Sequence, residues 1–572
     1  MKLIIREYLT LLKESGELDK LLPDLLLSMS IPPISRPQVG VRQSGVDVAA
    51  VGVHPDTGAK SLFLFLIKQG DMGRSDWNTG QQSVRPSLDE IKDVYIQNNI
   101  STKHKGLPIK IVVCTGGELK QDCQQDWIGY IKNNEEDGKI EYEFWGGDKL
   151  SIYIEQYLFD ENVLPDKLRS KFRKTLALLS DPDYDFSDYF TILEELLLKQ
   201  NFGDIRKESA KKKILKVFRT VNLCQTIIFY WAKNEDNLKP AIYCSERTAL
   251  NAWDVIRRHK ANNNNKILSA YSEIYHTLLF VYDNYMLKIK PHCNVRNGFS
   301  GYSSYYLLEC LSVFENLGFL SMAGLLFFER AHLCENEMLL KKSESIKEML
   351  KKFINNQKAS QSPCYDGYII EISQAIYLLH LFNEDKFIES WVNSIITSVH
   401  FSYLQMHKYF PIHSDNFDDL VELNSTKSID RKELFALSTL LPILAEWCLV
   451  LGFNDLYSKI QKVVLKDFQS CTLQIWYPDK DTDTLLYKTN AASESGNTDA
   501  PIFLENNPED MKYRIKLVQK KIISIENISA MQTLPYLTIL ASRHFRTPML
   551  PIFRQSYLLD SQQENSPPKS SN

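Results

Sequence analysis

Residues 44 to 71 read SGVDVAAVGVHPDTGAKSLFLFLIKQGD, and this stretch decides how the first part of the chain folds. Two runs rich in β-branched and aromatic side chains, 46–53 and 61–68, flank a turn of His, Pro, Asp and Gly, which predicts an antiparallel hairpin. Both runs are apolar enough to be buried, yet Asp47 opens the first and Lys68 closes the second. Centring the hairpin on HPDTGAK sets Asp47 opposite Ile67 or Lys68, so that acid and ammonium share one rim of the sheet. A slip of one residue would send them to opposite faces.

Working outward, residues 2–14 carry Ile5, Tyr8, Leu9 and Leu12 on one helical stripe, with Glu7 and Glu14 pointing away from it. The S-x-x-E pattern at Ser87 and Glu90 predicts a capped helix over 87–98 with Leu88, Ile91, Val94 and Tyr95 inward. IKIVVCTGG (109–117) has the continuous apolar character of a strand buried on both faces. A helix through Trp127 and Ile131 leads to KIEYEFWGGDKLSIYIEQYL (139–158): a strand, a Gly-Gly turn, Asp148 as N-cap and a helix. The order α, β-hairpin, α, β, α, β, α predicts a mixed sheet flanked by helices, an α/β domain over 1–160.

Beyond that point strand signals become rare. Apolar stripes of helical period recur near 186–197, 213–232, 266–288, 302–332, 366–397 and 433–465, predicting a large all-α region over 165–485 with no fixed repeat. A loop and C-terminal helices over 486–555 and a disordered tail over 556–572 complete the division. The basic runs KLRSKFRK (167–174) and RKESAKKKILKVFR (206–219) place Lys211, Lys212 and Lys213 as candidates for phosphate contact, against the plainer reading of solvated helix faces.

At 572 residues the chain exceeds a single core, since domains run to roughly 100–200 residues. A net charge of −4 supplies no global attraction to nucleic acid, so any such binding must be local. Ten cysteines without a CxxC pair argue against structural zinc and a secreted disulfide framework, and a reduced cytoplasm is the expected compartment. The apolar runs FLSMAGLLFF and TLLPILAEWCLVLGF fall short of the ~20 residues of a span, so no membrane association is expected. No HExxH, serine elbow or Walker loop is present, which sets aside zinc hydrolysis, triad chemistry and nucleotide hydrolysis by that route.

Taken in order, SGVD, LFLFLIKQGD, IVVCTGGE and FWGGDKL resemble the restriction-endonuclease-like superfamily called PD-(D/E)xK, in its Mrr-type branch. The resemblance covers about residues 38–160. It implies a nuclease site in which Asp47 holds Mg²⁺ or Mn²⁺ and Lys68 orients water or stabilises charge on the phosphate. The chain departs from the pattern at Leu66, where the family carries a second acid. The ion would then be completed by the backbone carbonyl of Ile67 and a carboxylate from elsewhere, Glu90, Glu7, Glu14 or Asp71. Arg42 and Gln43 are further candidates for phosphate contact.

Two functions follow. One is a metal-dependent nuclease with a helical sensing or partner-binding region, an arrangement similar to effectors of bacterial antiviral defence. Its substrate would be nucleic acid, DNA ahead of RNA, and the helical region would bind a protein partner or a second copy. The other is a degenerate nuclease-like domain acting as a non-enzymatic nucleic-acid-binding or protein-interaction scaffold.

Overall fold

The computed structural model describes residues 1–35, 44–79, 83–159, 164–181, 184–300, 306–404, 410–414, 416–425, 436–469, 471–489, 497–498, 507–521 and 528–555. The chain forms two compact units, Met1–Cys244 with Asn263–Ile274, and Ser245–Asn262 with the residues from Tyr275 onward.

In the first unit, β1 (Val48–Val53), β2 (Lys60–Lys68), β3 (Ile109–Thr115) and β4 (Ile140–Trp145) lie side by side in that order. β1 is antiparallel to β2, and β2, β3 and β4 are parallel. Parallel neighbours cannot be joined by a tight turn, so the connections cross over as helices. α1 (Lys2–Leu11) and α2 (Asp19–Ser28) precede the sheet. α3 (Arg74–Asn78) and α4 (Val84–Glu90, continued to Asn98) link β2 to β3; α5 (Gln121–Asn134) links β3 to β4; α6 (Gly147–Tyr157) follows β4.

Side-chain alternation gives the sheet two buried faces. Leu62, Leu64, Leu66, Ile111 and Val113 meet Trp77, Leu88, Ile91, Trp127 and Tyr130 from α3, α4 and α5. The other face carries Phe63, Phe65 and Trp145, with Trp145 5.1 Å from Phe65 and 5.0 Å from Tyr153 of α6. It also buries charge. Lys110 Nζ lies 2.6 Å from Glu141 and 2.9 Å from Glu143. Burial opposes ionisation of Glu143, but the Trp145 indole, Lys110, Lys149 and His54 together lower it to about 2. His54 Nδ1 accepts from the amides of Asp56 and Thr57, which leaves the proton on Nε2, 2.9 Å from Glu143 though poorly aligned.

Three expectations are corrected. The first helix ends at Leu11, and a second helix, α2, follows it. Pro23, the fifth residue of α2, removes one hydrogen bond just beyond the first turn. α4 begins at Val84 and not at Ser87, with Ser83 at the N-cap position and Pro86 tolerated in the first turn. Ser87 therefore sits inside the helix, donating to Ser83 O, and Glu90 has no capping role. Asp148 is likewise inside α6, whose N-cap position is Gly146.

Helices α7 (Asp166–Ala177), α8 (Ser187–Leu193) and α9 (Glu208–Asn234) belong to this same unit. α10 (Lys239–Arg258) and α11 (Asn265–Cys293) begin in it and continue into the second.

The second unit is helical, with only two-residue strands among its described residues. Its centre is α12 (Tyr306–Leu333), 28 residues long and mostly buried, packed by α13 (Glu337–Asn356), α14 (Ile369–Leu381) and the helix Tyr536–Phe545. FLSMAGLLFF is thus part of a longer helix, and α12 is the one described helix long and apolar enough to cross a membrane. Buried ion groups tie distant segments together: Glu246 accepts from Tyr282, Arg543 and His544, and Glu446 accepts from Arg554 and Gln555.

Gly45, ahead of β1, has φ +79°, and a Cβ there would lie 2.4 Å from the Ser87 carbonyl oxygen of α4. Gly45→Ala combines left-handed strain with a backbone clash and should cost roughly 2–4 kcal/mol, read as a lower urea midpoint with an unchanged slope.

Candidate active site

The observed register is Val48 against Phe65, which extends to Asp47 against Leu66 and not to Ile67 or Lys68. The turn is shorter than HPDTGAK. His54 N donates to Ala59 O, the His54 ring holds the Asp56 and Thr57 amides, and Lys60 is already in strand β2. Asp47 N donates to Phe65 O, and Asp47 Oδ2 accepts the Ile67 amide at 2.7 Å. Ile67 therefore meets Asp47 through its N–H and not through the carbonyl expected as a ligand. The acid stands in for a main-chain acceptor where β1 begins.

Lys68, at the end of β2, has its side chain 18% exposed and its Nζ 3.9 Å from Glu14 Oε1. Glu14 reaches it because α1 has ended and the chain turns over 14–18, with Ser15 extended and Gly16 at φ +84°. The helical stripe that sets Glu14 aside does not extend that far. Asp19, the first residue of α2, joins the group and has a buried Oδ1 with no hydrogen-bond partner. The sequence offers a signal for it, three acids within six residues in ESGELD around a glycine.

These charges act on one another. Burial raises the Asp47 carboxyl to about 6; the Ile67 amide and Lys68 pull it down, and Glu14 and Asp19 push it further up. The donor set is all oxygen, which suits a hard divalent cation. Among the described residues no three His, Cys, Asp or Glu side chains converge closely enough to hold an ion by themselves. Glu14 and Asp19 act electrostatically on Asp47, and Mg²⁺ commonly takes one or two carboxylates and keeps several waters.

The other candidates lie apart. Leu66 is 2% exposed, packed in the core with Leu64, Trp77 and Leu88, so an acid there would be buried among apolar side chains. Glu90 ends α4, and among the described residues no contact joins it to Asp47 or Lys68 in the interactions that shape the Asp47 carboxyl. Glu7 is exposed on α1. Asp71 accepts the Glu118 amide at 3.0 Å and faces Lys120 at 3.9 Å. Arg42 and Gln43 fall outside the described residues.

The basic runs are partly spent on the protein itself. Arg169 is buried, donating to the carbonyls of Leu164 and Phe159, while Lys171 and Lys174 both reach Asp188 at 2.8 Å. Lys211 pairs with Glu208 at 3.4 Å, and Lys212 and Lys213 are exposed on α9. Tyr230 of α9 contacts Tyr8 of α1, and Lys212 is 18 residues away along the helix, roughly 27 Å at 1.5 Å per residue. The lysines are therefore no part of the Asp47 cluster.

Because the Asp47 carboxyl titrates higher in the folded protein than the ordinary value near 4, the folded state binds more protons between about pH 4 and 6. Stability is then lost as pH rises through that window. Asp47→Asn keeps an oxygen for the Ile67 amide and removes the charge, so it should be more stable than wild type by roughly 2 kcal/mol at pH 7.5. The gap should close towards pH 4, followed by urea unfolding across the range. The chain matches no protein-family model and no curated protein.

Proposed function

We propose that the sheet and its flanking helices form a restriction-endonuclease-like domain, and that the protein is a metal-dependent nuclease cleaving phosphodiester bonds, DNA ahead of RNA. The observation that carries this reading is the Asp47 carboxyl, half-buried beside Lys68, with Glu14 supplying from the 14–18 turn the acid that position 66 lacks. Asp47 with Glu14 or Asp19 would hold the divalent cation. Such an ion, when bound, polarises the phosphate and acidifies a water. For its own part, the Lys68 ammonium stabilises charge gathering on the phosphate. The helical part, as a sensing or partner-binding region, fits the arrangement of antiviral-defence effectors that the sequence resembles.

A second reading is favoured by Leu66 and by the Ile67 amide. With the family's second acid replaced by a core leucine, and Asp47 already closing the strand ladder, the domain would serve as a non-enzymatic scaffold for nucleic acid or protein.

The two readings separate when purified protein is incubated with linear DNA, circular DNA and RNA in Mg²⁺, Mn²⁺ or EDTA. The nuclease reading expects cleavage that EDTA stops. Asp47→Ala and Lys68→Ala should each lower its rate by about 10²- to 10³-fold, and Glu14→Gln should weaken the cation requirement's affinity as well as the rate. Both alanine variants cleaving like wild type would overturn the assignment, and an inert wild type that still binds nucleic acid would establish the scaffold.

A further inference from the structure

The acids beside Lys68 hang on a short turn, so what holds the turn matters. Glu17 is its anchor. Its Oε2 accepts the Lys13 amide at 2.6 Å, and its carboxylate lies within hydrogen-bonding reach of the Tyr230 hydroxyl, from α9. Tyr230 is buried, with its ring edge-on to Tyr8 of α1 at 5.6 Å. Burial, with the Glu17 carboxylate adding to it, holds the Tyr230 hydroxyl in its neutral, donating form. Eleven residues back along α9, Arg219 reaches Asp24 of α2 at 3.8 Å. α9 thus reaches both sides of the turn, α1 with Tyr230 and α2 with Arg219, while Glu14 and Asp19 lie between the two contacts.

We propose that Tyr230 is a positioning residue for the candidate active site: through Glu17 it fixes the turn that brings Glu14 to Lys68 and Asp19 to the neighbourhood of Asp47. The proposal rests on the reading of Asp47, Lys68 and Glu14 as one site. Only a short main-chain closure, Leu18 N to Lys13 O at 3.0 Å and Asp19 N to Glu14 O, holds the turn around Gly16 at φ +84°, and the side-chain bonds of Glu17 add to it. It also gives the helical part of the chain a route to the site. α9 passes through residues 235–238 into α10, and a displacement of α9 along its axis would carry Tyr230 away from Glu17 and loosen Glu14.

The test uses the full-length protein and three variants, Tyr230→Phe, Glu17→Ala and Glu17→Gln, followed by amide hydrogen exchange. Tyr230→Phe and Glu17→Ala should speed exchange over residues 13–19 by about tenfold while leaving β1 to β4 unchanged. Glu17→Gln should stay closer to wild type than Glu17→Ala, because its amide oxygen still accepts the Lys13 amide. On nucleic acid, the first two variants should lower kcat with little change in KM, and Glu17→Gln should restore it. Wild-type exchange over 13–19 in Tyr230→Phe, or Glu17→Gln as loose as Glu17→Ala, would overturn the proposal. If the turn loosens as expected but wild type cleaves no nucleic acid with any divalent ion, the brace stands and the catalytic reading falls.

Discussion

A single hydrogen bond organises the rim of the sheet, from the Ile67 amide to Asp47 Oδ2 at 2.7 Å. Where β1 starts, its main chain no longer offers β2 an acceptor, and the carboxylate supplies one. Leaving that amide bare would cost about 1–3 kcal/mol, so the acid is held in place by the strand itself. The same bond brings a charge under the shelter of the sheet, where Lys68 is the compensating cation and Glu14 and Asp19 are like charges. Structure and candidate chemistry use the same atoms there.

Around that rim, the sheet tolerates polarity only where it is fully paired. Lys110 is 4% exposed on a face otherwise lined by Phe63, Phe65 and Trp145, and it remains charged because Glu141 and Glu143 accept from it. At this end of the sheet cation and anion are balanced within hydrogen-bond distance. At the Asp47 end three carboxylates face one ammonium, and Asp19 keeps an oxygen without a donor. The contrast between the two ends, more than any one residue, separates a fully paired network from one with an excess of negative charge.

Much of the sheet was legible because each signal was local: β-branched and aromatic runs, a turn of His, Pro, Asp and Gly, and a continuous apolar strand ending in glycines. The register was not, because a side chain decides it. His54 ties down two amides and closes the turn early, shifting the pairing by a residue. Glu14 was legible as an acid but not as a neighbour of Lys68, since helical periodicity describes it only while the helix lasts, and α1 stops at Leu11. α9's grip on the turn was hidden by sequence distance, Tyr230 lying far beyond the segment it braces. Contacts of that kind carry no local period.

In the second unit, the ion group at Glu246 sets an order of assembly. Glu246 and Arg543 are 297 residues apart, and Glu446 and Arg554 are 108 apart. A ribosome adding roughly 5–20 residues per second leaves Glu246 waiting on the order of tens of seconds for its guanidinium. Until then the pocket that will enclose it must stay open or stay protonated, since a buried carboxylate without a partner costs several kcal/mol. The sheet of the first unit, complete by Trp145, has no such wait. The chain therefore matures in two steps, with a folded sheet tethered to helices that close only when the residues around 543 arrive, and that interval is when a chaperone has most to hold.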